Sequence, residues 1–248
     1  MPDDISYVDI IRHFEERAGS YDHQTQWRMS LPLLECFAAL IPEGEGPVVD
    51  LGCGTGIIGE VAAARGWRVT GVDLAQKMLE QARCRLNSIV IADVLCLPFP
   101  DGGFRGALMR QVFHYVNDYA ACLEVARSVC DGGFFVVGDI VVGEDERDWW
   151  TRIKALLQPL RRRVYTSQSH ADLLRRGGWR IEDKKTCIVR RVDPRSVFLQ
   201  HAHGHPTRLA DVAYLLKQAP TAPNGMGLEV TENEVSYNQC WQILRGRR

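Results

Sequence analysis

Val48-Val49-Asp50-Leu51-Gly52-Cys53-Gly54-Thr55-Gly56 is the stretch on which the fold turns. A short β-branched run reads as a strand over Val48–Leu51. Ile57 to Arg65 follows as a helix with Ile58, Val61 and Ala62 on one face. Between them glycines stand at alternate positions. They let the backbone turn sharply and let a ligand approach where a Cβ would clash. The helix that opens there offers unpaired N–H groups to an anion such as a carboxylate.

The same alternation continues downstream, as expected of a parallel sheet with crossover helices. Arg68–Val72, Ser88–Ile91, Gly106–Met109 and Phe134–Ile140 read as strands, and Gln76–Leu86 and Asp118–Val129 as helices. The first of these helices buries Met78, Leu79 and Ala82. The second closes on Asp131-Gly132-Gly133, where glycine supplies a left-handed turn. Trp179–Val189 and Glu234–Leu244 read as closing strands. Helical patterns fill residues 1–40, ahead of a core at 44–140. Segments 141–178 and 190–233 interrupt the late strands and are expected to wall the substrate side of a pocket, because ligands in open α/β sheets sit beyond the carboxyl ends of the strands.

Two acids end successive strands. Asp73 is placed to accept both hydroxyls of a ribose, and Asp93, after Ile91-Ala92, the amino group of an adenine. At these residues the chain resembles the class I S-adenosylmethionine-dependent methyltransferases, whose first motif has the form Asp-x-Gly-x-Gly-x-Gly. Leu97-Pro98-Phe99-Pro100-Asp101 and Gln111-Val112-Phe113-His114-Tyr115-Val116-Asn117-Asp118 look like the family's later motifs. Phe14 to Asp22 is similar to the N-terminal helix of its small-molecule branch, which includes the quinone-biosynthesis enzymes.

The resemblance implies one Rossmann-like α/β domain over 1–248, with a mostly parallel seven-stranded sheet, an antiparallel last strand and helices on both faces. It implies S-adenosylmethionine as cofactor, held by Asp50, Gly52, Cys53, Gly54, Gly56, Asp73, Leu74, Met78, Ala92, Asp93, Val94, Gln111 and Arg17. It also implies methyl transfer to an O, N or C nucleophile of a small molecule. Ala75 where a helix-capping Ser is frequent, Arg105 in place of Asp, and Asp131 in place of Pro depart from the pattern without touching the expected cofactor contacts. Gly54-Thr-Gly56-Ile-Ile-Gly59 also fits a dinucleotide fingerprint, but it starts too late relative to the strand and leaves Asp50, Gly52 and Asp93 idle.

Methyl transfer needs a nucleophile aligned with the S–CH₃ bond, exclusion of water and, for a hydroxyl or ammonium acceptor, a base. His114 is the candidate base, or else a pocket-lining histidine that only packs or donates a hydrogen bond. Tyr115 reads as pocket wall or core, and Tyr21 with Arg17 as a fold over the methionine end of the cofactor or as plain helix packing. Trp149, Trp150, Tyr165, Phe198 and Tyr214 are candidates for an apolar substrate wall as a group, although each taken alone reads first as core. His201, His203 and His205 have no Cys or acidic companion nearby and read as a surface loop, so no metal is expected.

With 30 basic and 31 acidic residues and a net charge of −1, nothing calls for nucleic acid or an anionic membrane as partner. No apolar run approaches the roughly 20 residues that span a bilayer, the start lacks a signal-peptide pattern, and the eight scattered cysteines suggest reduced thiols in the cytoplasm. A monomer or homodimer fits equally. Two rival readings stay open: other chemistry on the same cofactor, by cyclisation or aminocarboxypropyl transfer with release of methylthioadenosine, and a non-catalytic cofactor-binding protein.

Overall fold

The computed structural model describes residues 7–23, 28–158, 160–161, 163–192, 229–230 and 235–248. Helices α1 (Tyr7–Glu15) and α2 (Leu31–Leu40), with a short 3₁₀ turn at Ala18–His23 between them, precede the sheet. Then come β1 (Pro47–Leu51), α3 (Ile57–Ala63), β2 (Arg68–Asp73), α4 (Gln76–Ala82), β3 (Ser88–Ile91) and β4 (Phe104–Arg110). A 3₁₀ turn at Phe113–Tyr115 leads to α5 (Asp118–Ser128), β5 (Val129–Val142), α6 (Arg147–Leu157), β6 (Tyr165–Thr166) and α7 (Ser167–Arg176). The chain closes with β7 (Arg180–Val192), β8 (Glu229–Val230) and β9 (Val235–Arg247).

The sheet runs β3-β2-β1-β4-β5-β9-β7. Pairs from β3 to β5 are parallel, and β9 is antiparallel to both β5 and β7. This is the Rossmann-like α/β arrangement expected, with two-residue strands β6 and β8 added beside the seven-strand path. Both faces of the central strands β1, β4 and β5 are buried, and their residues divide between two clusters. Val48, Leu108, Phe134 and Val136 pack on the side of α2 and α3, while Val49, Ala107, Met109, Phe135 and Val137 pack on the side of α5 and α7. Central strands with two buried faces therefore read as continuous apolar runs.

Two boundaries differ from expectation. Helix α4 stops at Ala82, where the amides of Arg85 and Leu86 both close on the Ala82 carbonyl. Helix α5 does not end on a glycine turn. Val129 is its C-cap and already the first residue of β5, and Gly132 (φ 71°) lies inside an irregular start to that strand, where the register with β4 shifts.

Strand order reverses at β1, with β2 on one side and β4 on the other. The cleft expected at such a switch point lies beyond the carboxyl ends of these strands.

Candidate functional site

The glycine loop between β1 and α3 is tied down from below. Cys53 N–H donates to the Val72 carbonyl at 2.9 Å, Gly54 N–H to Asp73 Oδ2 at 2.8 Å, and Gly59 N–H to Asp50 Oδ2 at 2.8 Å. The other Asp73 oxygen accepts from Ala75 N–H at 2.9 Å, while the cap that Ala75 cannot give α4 comes from Glu15, whose Oε1 accepts from Lys77 N–H at 3.1 Å. Burial raises the pKa of Asp73 and lifts that of Asp50 to about 7, in both cases against the pull of their amide donors.

Gly52 and Gly54 adopt φ of 59° and 54°, a region open to glycine at no steric penalty. A Cβ on Gly52 would lie 2.4 Å from Val112 Cγ2, whereas one on Gly54 would meet nothing closer than Tyr21 Cε1 at 3.9 Å. Gly54 thus faces open space, and that space is a cleft of about 690 Å³ counting its solvent-open mouth.

The cleft brings together Gly52, Gly54, Asp73, Leu74, Ala92, Asp93, Val94 and Gln111 of the expected cofactor set, with Tyr21 and Tyr115. Its roof comes from the N-terminal segment. Thr55 donates to Asp22 at 2.6 Å, and Arg85 bridges Asp22 at 2.9 Å to the Thr55 carbonyl at 2.8 Å. Phe14 packs edge-on against both Tyr21 and Tyr115, at centroid distances of 6.1 and 5.4 Å. Tyr21 is stacked by Arg28, whose guanidinium carbon lies 3.6 Å from the ring centroid.

Six expected site residues stand outside the lining. Asp50, Cys53 and Gly56 belong to β1 and the loop itself, with Leu86 and Ala82 close to Gly56, and Met78 joins Ala18 and Ala75 in a small buried cluster. Arg17 is buried beside His13 at 2.6 Å. His114, expected beside the reacting groups, is not among the residues that line the cleft. Its side chain is 1% exposed and outside the cleft, drawn inward by Asp139 Oδ2 at 3.1 Å from Nδ1.

Asp139 gathers a buried cluster. It also accepts from Gln111 Nε2 at 2.5 Å, Arg161 at 3.3 Å and the Ile140 amide at 2.7 Å. Burial alone would raise its pKa, but His114 and Arg161 hold it at about 2. Burial, and then Arg161, push His114 down to about 4 despite Asp139. An ionised Asp139 can only accept, so a neutral His114 must carry its proton on Nδ1.

Because folded His114 refuses a proton that the unfolded chain takes near pH 6.5, its contribution to stability should be full above that value and be lost progressively down to about pH 4. Denaturant unfolding measured between those values should show the slope, and His114→Gln should flatten it. An unchanged slope in the variant would refute the assignment.

Residues that sequence reasoning missed include Tyr7, Ile10, Ile11 and Phe14, which line the cleft from α1. Their i, i+3, i+4, i+7 spacing carried the signal of one apolar helical face. Arg110, also in the lining, donates to the Arg28 carbonyl at 3.1 Å. Gln111 has φ 61°, the only positive value among described non-glycine residues, and strain of this kind collects at functional sites. Trp149, Trp150 and Tyr165 are buried. Phe198, Tyr214 and the three histidines lie outside the described residues. Among the described residues no cluster could hold a metal, and no helix is long and apolar enough to cross a membrane.

Residues 49–137 match the family described as methyltransferase domain. Over 156 residues the chain is 28% identical to malonyl-acyl-carrier-protein O-methyltransferase of Serratia marcescens, with 61% of each protein covered. The chain spans 41%, 61% and 22% of the lengths of three curated relatives it matches. A candidate methyltransferase from Bacillus halodurans superposes with a TM-score of 0.77 over 87% of this chain and 97% of its own, at 17% identity. A 4+2 cyclase superposes at 0.59 over 87% of this chain and 79% of its own, at 22% identity. Likeness at these identities speaks for the fold; the chemistry has to be argued from the site.

Proposed function

We propose that this chain, whose residues 49–137 carry a methyltransferase domain, binds S-adenosylmethionine in the β1–β4 cleft and transfers its methyl group to a small-molecule O, N or C nucleophile. The observation that carries the reading is the cleft itself. It offers, in order along successive strand ends, the glycine loop, the carboxylate of Asp73 and the carboxylate of Asp93.

Gly52 and Gly54 would hold the methionine end of the cofactor, and Arg110, in the same lining, would supply a counter-charge for its carboxylate. Asp73 takes the ribose hydroxyls on lone pairs left by its amide donors, and their two O–H groups relieve a carboxylate strained by burial. Asp93, with Oδ1 accepting from the Leu95 amide, meets the base. Tyr21 and Tyr115 would add aromatic surface to the lining, which a sulfonium favours.

His114 acts behind them as a positioning residue. It sits with its ring 4.2 Å from that of Tyr115 and shares Asp139 with Gln111. His114→Gln should therefore lower kcat by less than about tenfold, where a lost general base would lower it roughly 10²–10⁴-fold. The pH–rate profile should keep its shape, and loss of a limb near neutral pH would restore the histidine as the base.

Asp73→Ala should weaken cofactor affinity at least about tenfold, since it removes charge-assisted bonds worth roughly 1.5–3 kcal/mol each and also frees the Gly54 and Ala75 amides. Titration calorimetry checks this, and unchanged affinity would remove Asp73 from the site. The reaction itself is tested by the sulfur product. S-adenosylhomocysteine marks methyl transfer, methylthioadenosine marks cyclisation or aminocarboxypropyl transfer, and intact cofactor across a broad acceptor panel would favour a binding protein.

A further inference from the structure

A second cavity, of about 680 Å³ counting its open mouth, lies at the carboxyl end of β5 under α6. Glu146, Trp150 and Lys154 recur every four residues, so they share one face of α6, with Glu146 at its N-cap. Tyr237 and Gln239, two apart on β9, face them from the other wall.

This lining is polar where a plain core would be apolar. Lys154 is 4% exposed, with its ammonium 5.4 Å from the Trp150 ring centroid and 5.9 Å from that of Tyr237. Among the described residues it forms no ion pair. Glu146 Oε1 and Gln239 Oε1 are buried with no hydrogen-bond partner. Their companion atoms are engaged: Glu146 Oε2 accepts from Gly143 N–H at 3.3 Å, and Gln239 Nε2 donates to the Tyr237 hydroxyl at 3.2 Å. Both side chains are thus oriented with one acceptor left over. Buried polar atoms are nearly always satisfied, so a cluster of orphan acceptors beside a buried ammonium points to a ligand that completes it.

The cavity shares no lining residue with the cofactor cleft, and one buried cluster stands between them. Gln111 lines the cleft and donates to Asp139, and the next residue, Ile140, lines the second cavity. We propose that this cavity is a ligand site separate from the cofactor cleft and takes a small molecule with an anionic oxygen for Lys154 beside a hydroxyl or amino donor for Glu146 and Gln239. The aromatic faces of Trp150 and Tyr237 suit a flat, unsaturated frame between those groups.

Recognition of an anion here has a measurable consequence. Burial, and then Arg161, hold Lys154 down to about 7 against the pull of Asp139. The other titratable groups in the lining are Glu146, raised first by burial, Tyr237, and Cys240, also raised by burial. An anion bound against Lys154 favours its charged form, so binding near pH 7.5 takes up a fraction of a proton.

The test uses the full chain loaded with S-adenosylhomocysteine. It is titrated with 3,4-dihydroxybenzoate, benzoate and the neutral 3,4-dihydroxybenzyl alcohol in two buffers of different ionisation enthalpy. The dihydroxybenzoate should bind with proton uptake. The neutral probe should bind at least about tenfold more weakly. Lys154→Met should lose that preference and the uptake, with Lys154→Gln as a second variant, and Glu146→Gln should weaken the hydroxylated acid without affecting benzoate. Equal binding of charged and neutral probes, no binding of any anionic probe at millimolar concentration, or uptake that persists without Lys154 would overturn the proposal. S-adenosylhomocysteine affinity, measured first, reports on the cofactor cleft separately.

Discussion

Gly54→Val is expected to abolish detectable S-adenosylmethionine binding, a loss of at least about 100-fold, while the protein still folds. Two effects add. A β-branched residue at φ 54° is a backbone outlier, at roughly 1–2 kcal/mol for the left-handed region. The larger effect is occupancy. The new Cβ finds no protein atom closer than 3.9 Å, so it enters the cleft rather than the core, and its methyls extend into the space assigned to the methionine end of the cofactor. Gly52 would be a poorer test, because its Cβ collides with Val112 and would disturb packing as well. Circular dichroism should match wild type while titration calorimetry shows no saturable heat. Binding within about threefold of wild type would mean that the ligand does not pass this loop.

Asp139→Ala should be the most destabilising single change considered. Asp139 compensates Arg161 in a pair where both side chains are 1% exposed, and it holds His114 and Gln111 as well. Removing one partner of a buried pair leaves an uncompensated charge and typically loses about 3–5 kcal/mol. At about 2–4 °C per kcal/mol for a chain of this size, Tm should fall by roughly 6–20 °C. Asp139→Asn, which keeps an acceptor for His114 or Gln111, should fall less. Equal and small effects of both variants would show that the cluster is solvated.

The glycine loop, Asp73 and Asp93 were legible in the sequence because their meaning is local. Each lies at a strand end whose register follows from short β-branched runs, and the strand order brings those ends together. Periodicity names the face a residue occupies but not what stands behind it. Cys53, Gly56 and Met78 therefore read as contacts although they stand outside the lining of the cleft.

His114 is the clearest case. It follows β4 at the spacing expected of a pocket residue, but Asp139 from β5 and Arg161 from beyond α6 meet it only in three dimensions and draw it inside. The stripe Tyr7, Ile10, Ile11 and Phe14 was readable in principle, whereas the inward turn of Gln111 at φ 61° has no sequence signature, since glutamine rarely adopts it. The Lys154 cavity is assembled from α6 and β9, some eighty residues apart, and no local pattern announces such a pairing.

The central claim is that the β1–β4 cleft is an S-adenosylmethionine site, and equilibrium titration of the wild-type chain with S-adenosylmethionine and, separately, with NADH tests it most directly. The account predicts saturable one-to-one binding of S-adenosylmethionine, competed by S-adenosylhomocysteine and lost in Gly54→Val, with no binding of NADH. Saturable NADH binding with no heat from S-adenosylmethionine would contradict it and return Gly54, Gly56 and Gly59 to the dinucleotide fingerprint that they also fit.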